Sequence, residues 1–285
     1  MRERLSIVRE LAKRGYRVIV PVSSEIEHAD LDNRTHWASN ARRLVEKAGK
    51  LGASALKLTA PIEGNLDWLD FTWLRDKWTQ LGEWNFIPYS HGWPITSKGV
   101  QYSVLGIGGK VVNGRNFVLV HEPLMTNRLT KPYLDRLREK GWKVYGLPTP
   151  SGKAGLVDAH IDLDVGVAPA AGGRHVMVAS KDYLSANRER LEKIALETNS
   201  RIVEVPAEEK RLFPANFLVL PDGKVLMTGG APKTKAAMER HGVRVFTTIP
   251  LTQATKFGGG LRCLTNTFYP RKRTAIRLPQ PGSTR

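Results

Sequence analysis

Two distant stretches of the chain carry the same punctuation. Residues 137–148 read LREKGWKVYGLP and residues 238–250 read MERHGVRVFTTIP. Each predicts an amphipathic helix that stops at a glycine and hands over to an apolar strand. The glycine is the residue expected where a helix ends in a left-handed cap. The likeness extends further on both sides. Phe117–Leu147 reads as strand, turn signal, helix from Lys131, Gly141, strand, and Phe217–Thr248 as strand, Pro221-Asp222-Gly223 hairpin, strand, helix from Lys233, Gly242, strand. A strand–strand–helix–strand unit of about 50 residues, used more than once, predicts pseudo-symmetric stacking around an axis. Period-2 and period-3.6 patterning elsewhere extends the α/β alternation. Helices are expected at 2–14, 42–51 and 186–199, and strands at 17–22, 55–58, 161–167, 175–179 and 202–205.

Composition narrows the class. A chain of 285 residues with 41% hydrophobic residues can bury a core. At roughly 100–200 residues per domain it holds one large domain or two ordinary ones. A single cysteine excludes an internal disulfide framework and a Cys-cluster zinc site. No apolar run approaches the ~18–20 residues of a membrane helix, and the charged amphipathic N-terminus lacks the apolar core of a secretion signal. A cytoplasmic location without membrane contact is expected. The 44 Lys+Arg exceed the 27 Asp+Glu by 17. Such an excess can be a footprint for nucleic acid or another polyanion. It is mostly interleaved with acids, however. Only residues 270–285, with Arg271, Lys272, Arg273, Arg277 and Arg285, form a dense basic cluster, which reads as a flexible tail open to polyanions after a single domain over 1–269. The sequence allows a homo-oligomer without specifying one.

Three clusters carry chemistry. Cys263 follows Gly258-Gly259-Gly260-Leu261-Arg262. Consecutive glycines permit unusual backbone angles and close approach of main chain to a ligand. Lys256 and Arg262, with no acid nearby in sequence, favour a thiolate, the form in which cysteine is a nucleophile. His160 and Asp162 lie two apart at the head of an expected strand, where i and i+2 share a face. Trp68, Phe71, Trp73 and Trp78 surround Asp70, Arg75 and Asp76, a setting for a carboxylate that meets a cationic ligand. The histidines show no metal-ligand spacing, and Gly106–Gly109 lacks the Lys-Ser/Thr of a phosphate loop, so neither metal nor cofactor is expected.

These clusters, in this order, resemble those of the pentein-fold guanidine-modifying superfamily: arginine deiminases, agmatine deiminases, dimethylarginine dimethylaminohydrolases and amidinotransferases. Residues 258–265 are similar to its nucleophile motif, His160-Ile161-Asp162 to its acid/base histidine and substrate carboxylate, and Arg75-Asp76 to its guanidinium-gripping pair. The resemblance covers about residues 65–269 and implies an α/β propeller of five ββαβ-like units around an axial site. It implies Cys263 as nucleophile, His160 as general acid/base, and Asp76 and Asp162 as guanidinium acceptors. Gly259 and Gly260 would line the nucleophile loop, and Arg262, with Lys256, could read a substrate carboxylate. One departure stands out: Ile107 occupies the place of an expected glutamate and Lys110 that of a second acid, with Glu122 or Glu83 as conceivable substitutes. The implied activity is hydrolysis of arginine or a related guanidino compound. Alternatives are amidino transfer from the same cysteine, or a non-catalytic pentein that binds nucleic acid or the ribosome.

Overall fold

The computed structural model describes residues 2–16, 18–23, 43, 46–52, 54–58, 94–97, 100–103, 109, 111–126, 131–148, 160–220, 222–256 and 259–262. The helix α1 (Arg2–Lys13) leads the chain. Strands β1 (Ile19–Ser23) and β2 (Ser54–Leu58) pair in parallel, and β3 (Pro94–Ser97) and β4 (Val100–Ser103) pair as an antiparallel hairpin.

The remaining three described sheets share one plan. In the first, β5 (Val111–Asn113) and β6 (Phe117–His121) form a hairpin; a short α2 (Pro123–Thr126) and α3 (Lys131–Glu139) follow, and β7 (Lys143–Leu147) returns parallel to β6. In the second, β8 (Val165–Pro169) and β9 (His175–Ser180) form the hairpin, α4 (Lys181–Ala186) and α5 (Arg188–Glu197) cross over, and β10 (Ser200–Val205) returns beside β9. In the third, the hairpin is β11 (Leu218–Val219) with β12 (Val225–Thr228), the crossover is α6 (Pro232–Arg240), and β13 (Val245–Ile249) returns beside β12. The repeat expected from residues 137–148 and 238–250 is therefore present, with a third copy between the two. The fold is mixed α/β built from small sheets, as expected.

The helix ends explain the shared punctuation. Trp142 N–H donates to the Leu137 carbonyl at 3.0 Å and Gly141 N–H to Arg138 at 2.9 Å; Val243 to Met238 at 3.1 Å and Gly242 to Glu239 at 2.9 Å repeat the pattern. Gly141 and Gly242 have φ of 81° and 86°, the left-handed region. In the middle copy Asn199 takes that role at φ 50°, a conformation asparagine tolerates better than most residues.

The sheets pack through their side chains. Strand β9 is buried along its whole length, as a continuous apolar run requires. Met177 and Ala179 on one face join Phe117, Leu119, Leu147, Val165, Val167 and Leu191. Val176 and Val178 on the other join Phe217, Val225, Met227 and Val203. A third cluster ties Ile7 and Leu11 of α1 to Leu218, Leu226, Ile249 and Leu261. Tyr16 then donates to Asp222 at 2.8 Å, and Arg14 stacks 4.7 Å from the Phe246 ring centroid.

Two local expectations are corrected. Residues 161–163 form a 3₁₀ turn and the strand starts only at Val165; the Asp164 N–H turns back to the Ile161 carbonyl at 3.1 Å, although the Asp164 carbonyl already accepts the Ser180 N–H at 2.8 Å as a ladder bond would. The helix expected over 186–199 is broken at Asn187 into α4 and α5, and α4 begins five residues earlier than read. Strand β5 has too few residues to show a period.

Candidate active site

Four segments meet at the starts of the repeated units. They are Gly109 with Val111, the first residue of β5, then His160–Asp162 ahead of β8, Asn216 ahead of β11, and 259–262 after α7 (Gln253–Lys256). Glu3 of α1 sets the last of these: its carboxylate accepts Ala254 N–H at 3.0 Å and the Thr252 hydroxyl at 3.2 Å at the start of α7. The Gly259 N–H then donates to Ala254 at 2.9 Å and turns the chain out of the helix.

Asp162 is the centre. Its side chain is 3% exposed and Arg262 donates to it, Nη1 to Oδ2, at 3.1 Å. The other Arg262 nitrogen, Nη2, donates to the Val111 carbonyl at 2.7 Å. The guanidinium thus ties the 259–262 segment to two units at once. Asp162 Oδ1 is buried and takes no hydrogen bond among the described residues, although the Asn216 amide lies near enough to favour the carboxylate. Burial raises the Asp162 pKa to about 6; Arg262 and Asn216 oppose that rise. Arg262 is thus not the unpaired cation that its sequence neighbours suggest, because the fold supplies an acid 100 positions away.

His160 precedes the 3₁₀ turn in an extended conformation, φ −85° and ψ 91°, and is half-buried. The fully buried Ile161 separates it from Asp162 and anchors both to the core. Because the segment is a turn, the same-face relation expected of a strand does not position this pair. Gly109 lies flat against the imidazole: a Cβ there would come 2.3 Å from Nδ1. Gly109, from the stretch expected to hold the second acid, therefore does lie beside His160; Ile107 and Lys110 are outside the described residues. Glu122, a conceivable substitute for the expected glutamate, is exposed and paired with Arg190 at 3.2 Å.

Gly260 packs against Asn216, where a Cβ would come 2.5 Å from Oδ1. At least this one of the three glycines is required by packing on protein rather than by a ligand. Asn216 itself, fully buried, is the residue sequence reasoning missed. Its Oδ1 accepts Arg262 N–H at 2.8 Å and its Nδ2 donates to the Asp162 carbonyl at 3.1 Å. A lone asparagine has no motif to betray it. Its only signal was its place at the head of a repeated strand.

Cys263, Asp76 and Glu83 lie outside the described residues, as does the basic stretch 270–285. The structure thus brings together His160, Asp162, Arg262, Gly259 and Gly260 of the expected set. Among the described residues no cluster of His, Cys, Asp and Glu could hold a metal ion, and no helix is long and apolar enough to cross a membrane. A cavity of about 400 Å³ between Arg115, Lys143, His175 and Glu197 lies at the opposite ends of β5–β6 and β8–β9 and contains none of these residues.

No family model matches the chain, and no curated protein matches it. Solved structures do. A protein provisionally described as a peptidyl-arginine deiminase matches over 94% of this chain and 90% of its own, with TM-score 0.53 and 16% identity. The agmatine deiminase of C. jejuni matches over 94% and 87%, with TM-score 0.49 and 13% identity. A cysteine-to-serine variant of dimethylarginine dimethylaminohydrolase from Pseudomonas aeruginosa, solved with citrulline, matches over 53% of this chain and 51% of its own, with TM-score 0.38 and 20% identity. The chain thus spans about half the length of that last protein.

Proposed function

We propose that this chain, whose fold is that of the pentein guanidine-modifying superfamily, completes a five-unit propeller and hydrolyses a guanidino compound through Cys263. One arrangement carries this assignment. A buried carboxylate, Asp162, already accepts a guanidinium at one oxygen, keeps a buried oxygen unbonded among the described residues, and is tied to the residue that precedes Cys263 in the chain. His160 lies two residues away in the chain and packs against Gly109.

A guanidinium is planar, delocalised and donates in a fixed fork, so paired carboxylates orient it as well as bind it. Asp162 and Asp76 are assigned that role. A substrate guanidinium meets Asp162 at Oδ1 or displaces Arg262 from Oδ2, and a displaced Arg262 is free to meet a substrate carboxylate. The Cys263 thiolate then adds to the central carbon. The carbon–nitrogen bond breaks, His160 gives its proton to the departing nitrogen, and ammonia or an amine leaves. His160 next takes a proton from water, and the resulting hydroxide adds to the thiouronium carbon. The carbon–sulfur bond breaks, which returns the thiolate and releases a ureido product. General acid/base assistance of this kind contributes ~10²–10⁴-fold, so His160→Ala retains at most a trace of turnover.

The test is incubation with arginine, agmatine, methylated arginines and other guanidines, with the released ammonia or amine and the ureido product measured together. Equal amounts of both from at least one guanidine, absent in Cys263→Ser, support the assignment. No product from any guanidine overturns it, as does undiminished product from the serine variant. Transfer of the amidino group to an added amine, in place of ureido product, would assign the transferase reaction instead.

A further inference from the structure

The Asn216 amide joins two parts of the candidate site that belong to different units of the fold. Its Oδ1 accepts the Arg262 N–H at 2.8 Å, which also lies 3.2 Å from the Asn216 carbonyl. Its Nδ2 donates to the Asp162 carbonyl at 3.1 Å. Arg262 is the covalent neighbour of Cys263, and Asp162 carries the buried carboxylate. One side chain with 0% exposure therefore fixes the backbone of both.

The surroundings hold Asn216 in place. Its N–H donates to Phe213 at 2.9 Å and closes a tight turn, and Phe213 has φ 49°, a costly conformation for a bulky side chain. That turn lies on Gly166 of β8, where a Cβ would come 2.1 Å from the Ala215 carbonyl oxygen. Gly260 gives the amide room on the opposite side. A buried amide with one acceptor and one donor satisfied toward two backbones has no freedom to flip, because the reversed orientation would face N–H to N–H and oxygen to oxygen.

We propose that Asn216 is a positioning residue that sets the backbone of Arg262, the covalent neighbour of Cys263, relative to Asp162, an inference that rests on the cysteine–carboxylate reading above. Neither a hydrophobic residue nor a longer amide reproduces the two bonds. A protonated carboxylic acid does, since it is planar, accepts at one oxygen and donates at the other. Asn216→Asp is therefore defective when ionised and regains function when protonated.

The experiment uses the full chain and its single cysteine. The rate of alkylation by a haloacetamidine, whose cation Asp162 recognises, is divided by the rate with iodoacetamide, which is neutral. In both reactions the thiolate displaces halide, so the ratio cancels the thiolate fraction and reads only the recognition of the cation. In Asn216→Ala the ratio is expected to fall by about 10- to 100-fold, the scale of small misplacements at reacting centres. In Asn216→Asp it is expected to fall likewise near pH 8 and, relative to the wild type at the same pH, to recover as pH is lowered from about 8 to about 6, because burial holds the new carboxyl above the ordinary range and the comparison cancels the protonation of Asp162. Circular dichroism establishes that each variant is folded. Should Asn216→Ala fail to fold, Asn216→Asp alone decides. Glu209→Gln, a buried change away from this site, controls for general loss of stability and keeps the wild-type ratio. A wild-type ratio in folded Asn216→Ala overturns the proposal, and so does an Asn216→Asp ratio that shows no such recovery relative to the wild type. A wild-type ratio no higher than that of a free thiol such as glutathione would instead overturn the underlying function, so the two failures are distinct.

Discussion

We expect Asp162 to set the pH behaviour of the site. Its folded pKa of about 6 lies above the ordinary 3.8 because burial outweighs Arg262. The native state thus holds this proton more tightly than the unfolded chain does. The stabilising contribution of this group is complete below its unfolded pKa and is lost as pH rises through about 6. Binding a guanidinium requires the ionised form. We therefore expect kcat/KM to fall on the acid side with an apparent pKa near 6, read from a pH–rate profile. Arg262→Gln removes a cation that lowers the Asp162 pKa, so that limb moves upward by roughly 1–3 pH units. A limb unmoved in Arg262→Gln would show that Asp162 does not set it. The residue types here were legible in the sequence, because histidine, aspartate and cysteine stand in a recognisable order. Their pairing was not. Arg262 looks like an unopposed cation until the fold brings Asp162 to it, and no spacing rule reaches across 100 positions.

At the scale of elements, the helix–glycine–strand junction was the most readable feature, since a left-handed cap leaves a glycine in a fixed place. The two copies nonetheless differ in tolerance. A Cβ on Gly141 meets nothing within 4 Å, whereas on Gly242 it comes 3.0 Å from Ala171 Cβ and 3.2 Å from Ala171 N. Gly141→Ala should cost only the left-handed strain of about 1–2 kcal/mol. Gly242→Ala should cost more, as judged by urea unfolding; equal losses would mean the Ala171 contact yields freely. Glu209 is an element-scale device that no pattern showed. Buried at the start of α6, it accepts Lys233 N–H at 2.7 Å, Thr234 N–H at 2.9 Å and the Thr234 hydroxyl at 2.6 Å. Glu209→Ala leaves these donors without a partner and should destabilise by about 1–3 kcal/mol, with catalytic constants unchanged below the melting temperature. A loss of kcat without loss of stability would contradict this purely structural role. The 3₁₀ turn at 161–163 escaped the sequence reading because Ile161 and Leu163 alternate with acids as a strand would; local bonds from Leu163 N–H to His160 and from Asp164 N–H to Ile161 override that pattern.

Across the whole molecule, the apolar run of β9 announced a buried strand but not what would bury it. Its two faces serve two different clusters, so the units are joined by shared side chains rather than by strand pairing. The same principle brings α1 onto the last sheet. Leu11→Ala opens space beside Leu218 and Ile249 and should cost about 2–5 kcal/mol. Hydrogen exchange should then quicken in β12 and β13 before it does in β6. Uniform quickening would mean the units unfold together. Because Glu3 of the same helix caps α7, the beginning of the chain also supports the loop that leads to Cys263. The central claim remains that this sulfur attacks a guanidinium held by Asp162. Its most direct test is acid quench during turnover of the guanidine panel, followed by mass analysis of the peptide that contains Cys263. The account predicts an amidino adduct on that cysteine, absent in Asp162→Asn and in Cys263→Ser. A ureido product formed with no adduct at any quench time, and formed equally by Cys263→Ser, would contradict it.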